Sequence, residues 1–189
     1  MYTQAFELAV DHAMHYEVSG SWNLNIQGVI DGTNHRACGY TNDPTDAGGE
    51  TKFGISKRAN PTVDILNLTW DDAKDIYYQK YWLAGSCDDL SGRVAVLHFD
   101  GCINHGISAA SKFLQRALNV SDDGHIGPKT ILAANNGNSI SICQQICDER
   151  LQYYKNIVAN NPSQSKYIKG WTRRIEEMRT FTTDPNNNF

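Results

Sequence analysis

Gly39 to Arg58 reads G-Y-T-N-D-P-T-D-A-G-G-E-T-K-F-G-I-S-K-R, and this stretch decides how the rest of the chain is understood. Its first half is turn chemistry. Asn42-Asp43-Pro44 and Asp46-Ala47-Gly48-Gly49 supply side chains that bond their own backbone, a fixed φ and two residues at ease with φ > 0. Its second half, Thr51-Lys52-Phe53-Gly54-Ile55-Ser56, alternates and predicts a short strand. Two aspartates and a threonine therefore stand on a tight turn that feeds a strand. A rigidly held loop of this kind is a frequent seat of catalytic groups, although a well-capped surface hairpin has the same pattern.

Outward from this turn the chain is mostly helical. On the N-terminal side, Phe6, Ala9, Val10, Ala13, Met14 and Glu17 fall at helical spacing, with Thr3 as N-cap and Ser19-Gly20 as the stop. Trp22, Leu24 and Ile26 then alternate, and Asp31-Gly32 signals a turn, so residues 21–37 read as a hairpin or flap. On the C-terminal side, Thr69 caps a helix that runs to Trp82. Arg93–Gly106 is apolar nearly all round, which predicts a buried central helix. Further helices are expected over 108–118, 140–158 and 167–178, and Asp122 to Thr130 reads as a turn leading into Ile131-Leu132-Ala133-Ala134. Residues 181–189 offer little to bury and read as a frayed tail.

The whole chain has 189 residues, 40% of them hydrophobic, enough for one substantial core or two lobes. The formal charge is −4 and no basic run occurs, which excludes a nucleic-acid footprint. No apolar run reaches membrane-spanning length, so no stable membrane insertion is expected. Residues 1–10 lack the charged and apolar regions of a signal peptide. The five cysteines, Cys38, Cys87, Cys102, Cys143 and Cys147, are then free thiols by default. Cys143 and Cys147 lack companions for a metal site and read as small buried residues.

Cleaving a sugar bond requires a proton donor and, opposite it, a carboxylate or a positioned water. Glu17 ends the first helix, where the negative end of the dipole and the neighbouring Met14 and Tyr16 both favour a raised pKa. Asp43 and Asp46 lie on the turn, and the Thr51 hydroxyl could hold the attacking water. Tyr40 and Phe53 are available to stack on sugar faces. Asn104 and His105 form a polar pair in the central helix, read as a buried network or as substrate contacts; His98 shares their helix face.

The quoted stretch resembles the signature of the N-acetylmuramidases of glycoside hydrolase family 108, which include phage endolysins and bacterial muramidases once labelled secretion activators. The resemblance continues through A-K-D-I-Y-Y-Q-K-Y-W (Ala73 to Trp82), Phe99-Asp100, Asn104-His105-Gly106, Phe113 to Leu118, Asp123 to Thr130, and Gly170 to Arg174. It implies a mainly α, lysozyme-like fold with a small β-hairpin lobe. The implied domains are a catalytic region over 1–98 interrupted by the flap 21–37, and a helical peptidoglycan-binding-like region over 99–180. The implied reaction is hydrolysis of the β-1,4 bond between N-acetylmuramic acid and N-acetylglucosamine, with no cofactor and no metal.

One departure stands out. The family's catalytic glutamate belongs in E-G-G-Y, directly before the turn, whereas Ala37-Cys38-Gly39-Tyr40 stand here. The resemblance then implies that Glu17 is the displaced acid and that 18–38 are an insertion bordering the cleft. By likeness to phage-type lysozymes, Glu17, Asp46 and Thr51 are the catalytic candidates, with Asp43 as the rival base. Tyr40, Asp43, Phe53, Asn104 and His105 are the substrate-binding candidates. The rival functions are a lytic transglycosylase and an inactive wall-binding or secretion-assisting protein. The expected partner is bacterial peptidoglycan, met by a monomer. As a phage endolysin it is expected to wait in the host cytoplasm and to need a holin-type partner to act at the periplasm or cell wall.

Overall fold

The computed structural model describes residues 2–18, 22, 23, 25, 27–46 and 48–189. It is mainly helical with one small antiparallel hairpin. The helices are α1 (Gln4–Glu17), α2 (Gln27–Ile30), α3 (Trp70–Tyr77), α4 (Gly92–His105), α5 (Ile107–Ala117), α6 (Pro128–Asn136), α7 (Ser139–Asn160) and α8 (Ile168–Thr183). The hairpin is β1 (Thr51–Lys52) with β2 (Ile55–Ser56). Among the described residues, no helix is long and apolar enough to cross a membrane. Contacts divide the chain into two compact units, Met1–Ala9 with Lys80–Phe189, and Val10–Gln79. α4 therefore lies wholly inside the larger unit rather than being divided near residue 98.

The larger unit is built around α4. Every residue from Val94 to Cys102 is buried, as its all-round apolar sequence predicts. Phe6, Trp82 and Phe99 pack as an edge-to-face trio with centroids 5.4–5.8 Å apart. Asp100 is also buried here, and two arginines meet it. Arg150 on α7 donates to Oδ2 at 2.6 Å, and Arg174 on α8 donates to Oδ1 at 2.8 Å. This triad ties three helices together. Burial opposes ionisation of Asp100, but Arg150 and then Arg174 outweigh it and hold the carboxyl at about 2.

The expected frayed tail is overturned. α8 continues to Thr183, and the segment after it docks on Arg93. The Arg93 guanidinium donates to the carbonyls of Thr182, Asp184 and Asn187 and lies 5.0 Å from the Phe189 ring centroid. One cation thus collects three backbone carbonyls of the docked segment, of which Asp184 O also accepts from Asn187 N at 3.2 Å.

α1 begins in the larger unit, where it is capped as expected, with Phe6 N donating to Thr3 Oγ1 at 3.3 Å, and continues into the smaller one. Val10, Ala13 and Met14 on its inner face are buried. The proposed stop at Ser19-Gly20 lies outside the described residues. Thr69 and Asp72 form a full capping box at the start of α3. α3 then widens into a π-helical segment, Tyr78–Leu83.

Two local expectations change. First, Thr51–Ser56 is not one strand but a hairpin whose two-residue loop is Phe53-Gly54, both with φ > 0. That is the turn whose twist matches paired strands. Second, the 21–37 hairpin is not seen: among the described residues it contains α2 and turns but no strand. Trp22 packs 4.7 Å from Trp70, and Val29 and Cys38 are fully buried. Trp22, Val29, Ala37 and Cys38 in this stretch therefore serve the unit's core, whereas Ile30 is exposed. Leu24 and Ile26, whose alternation suggested the hairpin, lie outside the described residues.

Candidate active site

Glu17 is the last residue of α1, and its carboxyl faces the tip of the hairpin. A methyl group placed on Gly54 would stand 3.5 Å from Glu17 Oε2, 3.0 Å from its Cβ and 2.7 Å from Tyr77 Oη. Gly54 also has φ 72°, so neither the space nor the backbone admits a side chain. The hairpin tip is pinned from both sides. Tyr77 Oη donates to Phe53 O at 2.9 Å, and Phe53 N donates to Cys38 O at 2.8 Å.

Phe53 holds φ 51°, an uncommon conformation for a residue with a bulky side chain. Its ring is fully buried among Trp22 and Trp70, with centroids 6.1 and 5.6 Å away. It is therefore a packing anchor rather than an exposed sugar platform. The Lys52 ammonium sits 5.8 Å from the same ring and donates to Leu66 O at 2.7 Å. Burial pushes its pKa down.

Asp46 stands at the opposite end of the hairpin. Its Oδ1 accepts from Gly48 N at 2.8 Å. A methyl on Gly48 would lie 3.3 Å from that oxygen and 3.6 Å from Ser56 Cβ, which sets the carboxylate beside the end of β2. Gly54 and Ser56 are two residues apart, or roughly 6.6 Å at the usual strand rise. Glu17 and Asp46 thus flank opposite ends of one very short strand. Thr51 pairs with Ser56, bridges to Thr41, and donates from Oγ1 to Gly49 O at 3.2 Å.

Asp43 behaves as a turn cap. Its Oδ1 accepts from both Thr45 Oγ1 at 2.7 Å and Thr45 N at 2.8 Å, and these bonds hold its carboxyl below the usual range. Tyr40 donates to Glu50 Oε1 at 2.8 Å, and this acceptor raises the phenol's pKa. Glu50, Gly54 and Tyr77 are site residues that the sequence reading passed over. The adjacent glycine in K-F-G-I was the one available signal of the turn.

Asn104 and His105 belong to the larger unit. Asn104 Nδ2 donates to Tyr154 Oη at 3.1 Å. The His105 ring packs against Phe113, Tyr153 and Tyr154 with centroids 5.2–5.6 Å away. Burial, with Arg150 nearby, pushes its pKa down to about 3, so the ring is neutral near pH 7. Both residues form a packed network.

The glycosyl hydrolase 108 family profile matches residues 30–106, and a predicted peptidoglycan domain matches residues 109–176. Residues 30–106 resemble the glycosyl hydrolase 108 family, with the peptidoglycan domain following directly in the chain. Together the two matched regions make the chain a glycoside hydrolase that acts on peptidoglycan. The solved structure of Brucella abortus SagA is similar, at 28% identity and a TM-score of 0.68, over 96% of this chain and 98% of that one. No curated protein matches this sequence. The hydrolase match contains Tyr40, Asp43, Asp46, Thr51, Phe53, Asn104 and His105 but begins after Glu17. In the position expected for the family's glutamate stand Ala37 and Cys38, both buried.

Proposed function

We propose that this hydrolase is a family 108 N-acetylmuramidase in which Glu17 protonates the glycosidic oxygen that leaves. The observation that carries the reading is the carboxyl of Glu17 set against the strained Phe53-Gly54 turn. Unfavourable backbone conformations persist where surrounding structure over-determines them, and they cluster at catalytic sites. Asp46, at the other end of the hairpin, serves as the base that orients or deprotonates water, and the Thr51 hydroxyl helps hold that water. The expected carboxyl separation is about 6.5–9.5 Å, the range for inversion. Acting as an endolysin, the protein would reach the wall with a holin-type partner.

A second reading is favoured by one specific observation. Asp43 and Asp46 each commit Oδ1 to the backbone of their own loop. With both turn aspartates tied to their loop, a reaction that needs one acid and no base fits the site: a lytic transglycosylase, in which the sugar's own 6-hydroxyl attacks. Mass spectra of digested peptidoglycan separate the two. Muramic acid reducing ends are expected for the muramidase, and 1,6-anhydro ends would replace it with the transglycosylase. No release of either product from purified walls would leave only a wall-binding role.

A further inference from the structure

We propose that Cys87 and Cys102 form an oxidation-sensitive dithiol in the larger unit that closes to a disulfide when a peroxide reaches it. Three observations outside the hydrolytic site carry this. The first is proximity: a methyl on Gly85 would lie 2.9 Å from Cys102 Sγ and 3.5 Å from Cys87 Sγ, so both sulfurs crowd one point.

The second is activation. His98 Nε2 lies 3.0 Å from Gly85 O and 3.6 Å from Cys102 Sγ. A carbonyl oxygen can only accept, so Nε2 carries the proton and the sulfur receives a share of that N–H. The adjacent Cys87 thiol and the contact with His98 lower the Cys102 pKa, while burial raises that of Cys87. The pair therefore has one sulfur suited to attack and one that stays a protonated thiol until it resolves.

The third is access. An open cavity of about 230 Å³ is lined by Cys87 together with Trp82, Leu90, Ala95 and Phe189. It is wide enough for a peroxide molecule and borders the Cys87 side of the pair. Cys143 and Cys147, the other close pair in this unit, are pushed up by burial to about 12 and 11 and do not share these features.

The chemistry balances with hydrogen peroxide as the oxidant. The Cys102 thiolate attacks one peroxide oxygen, the O–O bond breaks, and the departing hydroxide takes a proton to become water. The sulfenic acid so formed at Cys102 is attacked by Cys87. Cys87 gives up its proton, the S–O bond breaks, and a second water leaves as the S–S bond forms. Two thiols are oxidised and one peroxide is reduced.

The test uses the full-length reduced protein treated with hydrogen peroxide. The intact mass should fall by two hydrogens, and unreduced peptide mapping should join the Cys87 and Cys102 peptides. Dithiothreitol should reverse the link, and the oxidised form should melt several degrees higher because a loop has been closed. In Cys87→Ser, with folding checked by circular dichroism, Cys102 should instead be labelled by dimedone as a sulfenic acid. A bond between Cys143 and Cys147, or peroxide-treated protein in which Cys87 and Cys102 both remain open to alkylation, would overturn the proposal. Should Cys87→Ser fail to fold, the wild-type peptide map alone decides.

Discussion

Phe53 and Gly54 set a strained turn against the carboxyl of Glu17, the proposed acid. Phe53 accepts a backbone conformation that costs on the order of 1–3 kcal/mol, and full burial of its ring secures it. Gly54 then brings the backbone close enough for Glu17 and Tyr77 to meet the turn. Gly54→Ala must therefore both strain φ and push one of these neighbours away. We expect a loss of about 1–3 kcal/mol in stability, measured by denaturant unfolding. Wall-lysis activity should fall further, by roughly 100-fold, because a displacement of about 1 Å suffices to misplace a catalytic group. Unchanged lysis by Gly54→Ala would mean that the turn does not position Glu17. The sequence displayed Asp43, Asp46 and Thr51 openly, because turn residues announce themselves. It concealed the Phe53 turn, because phenylalanine is not a residue that local preference assigns to φ > 0.

Among the elements, α4 was the most legible, since nine successive buried positions leave no other reading for so apolar a segment. Asp100 interrupts that apolar run, and only α7 and α8 explain it. Removing its charge while Arg150 stays fully buried leaves a cation without its counter-ion. Asp100→Asn is expected to cost about 3–5 kcal/mol, seen as a lower denaturant midpoint. A change below about 1 kcal/mol would mean that the triad is energetically idle. Two elements misled the sequence reading for a shared physical reason. The 21–37 stretch and the tail after Thr183 have partners distant in the chain, and local pattern carries no trace of them. Trp22 finds Trp70, and Arg93 finds carbonyls about ninety positions away. Alternation around Trp22 and low apolar content near the C-terminus were weak signals beside those contacts.

For the molecule as a whole, two buried groups set the response to acid. His105 has a folded pKa of about 3, below its ordinary value near 6.5, so the unfolded chain binds the extra proton first. Its contribution is fully present above about pH 6.5 and is lost as pH falls toward 3. Asp100, at about 2, contributes above its ordinary value and loses that contribution as pH falls from about 4 to 2. Stability should therefore decline on acidification in two stages, the first with a slope of at most about 1.4 kcal/mol per pH unit. His105→Phe should flatten the first stage alone, and an unaltered profile would remove His105 from the account. The resemblance to the glycosyl hydrolase 108 family was visible because the quoted turn and the later motifs occur in order along most of the chain. The proposed acid was harder to read, since Glu17 ends α1 and lies outside that turn. Its assignment is tested most directly by measuring muramic acid reducing ends released from purified peptidoglycan by the wild type and by Glu17→Gln, with circular dichroism to verify folding. The amide keeps the shape of the side chain but cannot protonate the leaving oxygen, so release should drop by about 10²–10⁴-fold. Release at the wild-type rate from a folded Glu17→Gln protein would contradict the assignment of Glu17 as the acid.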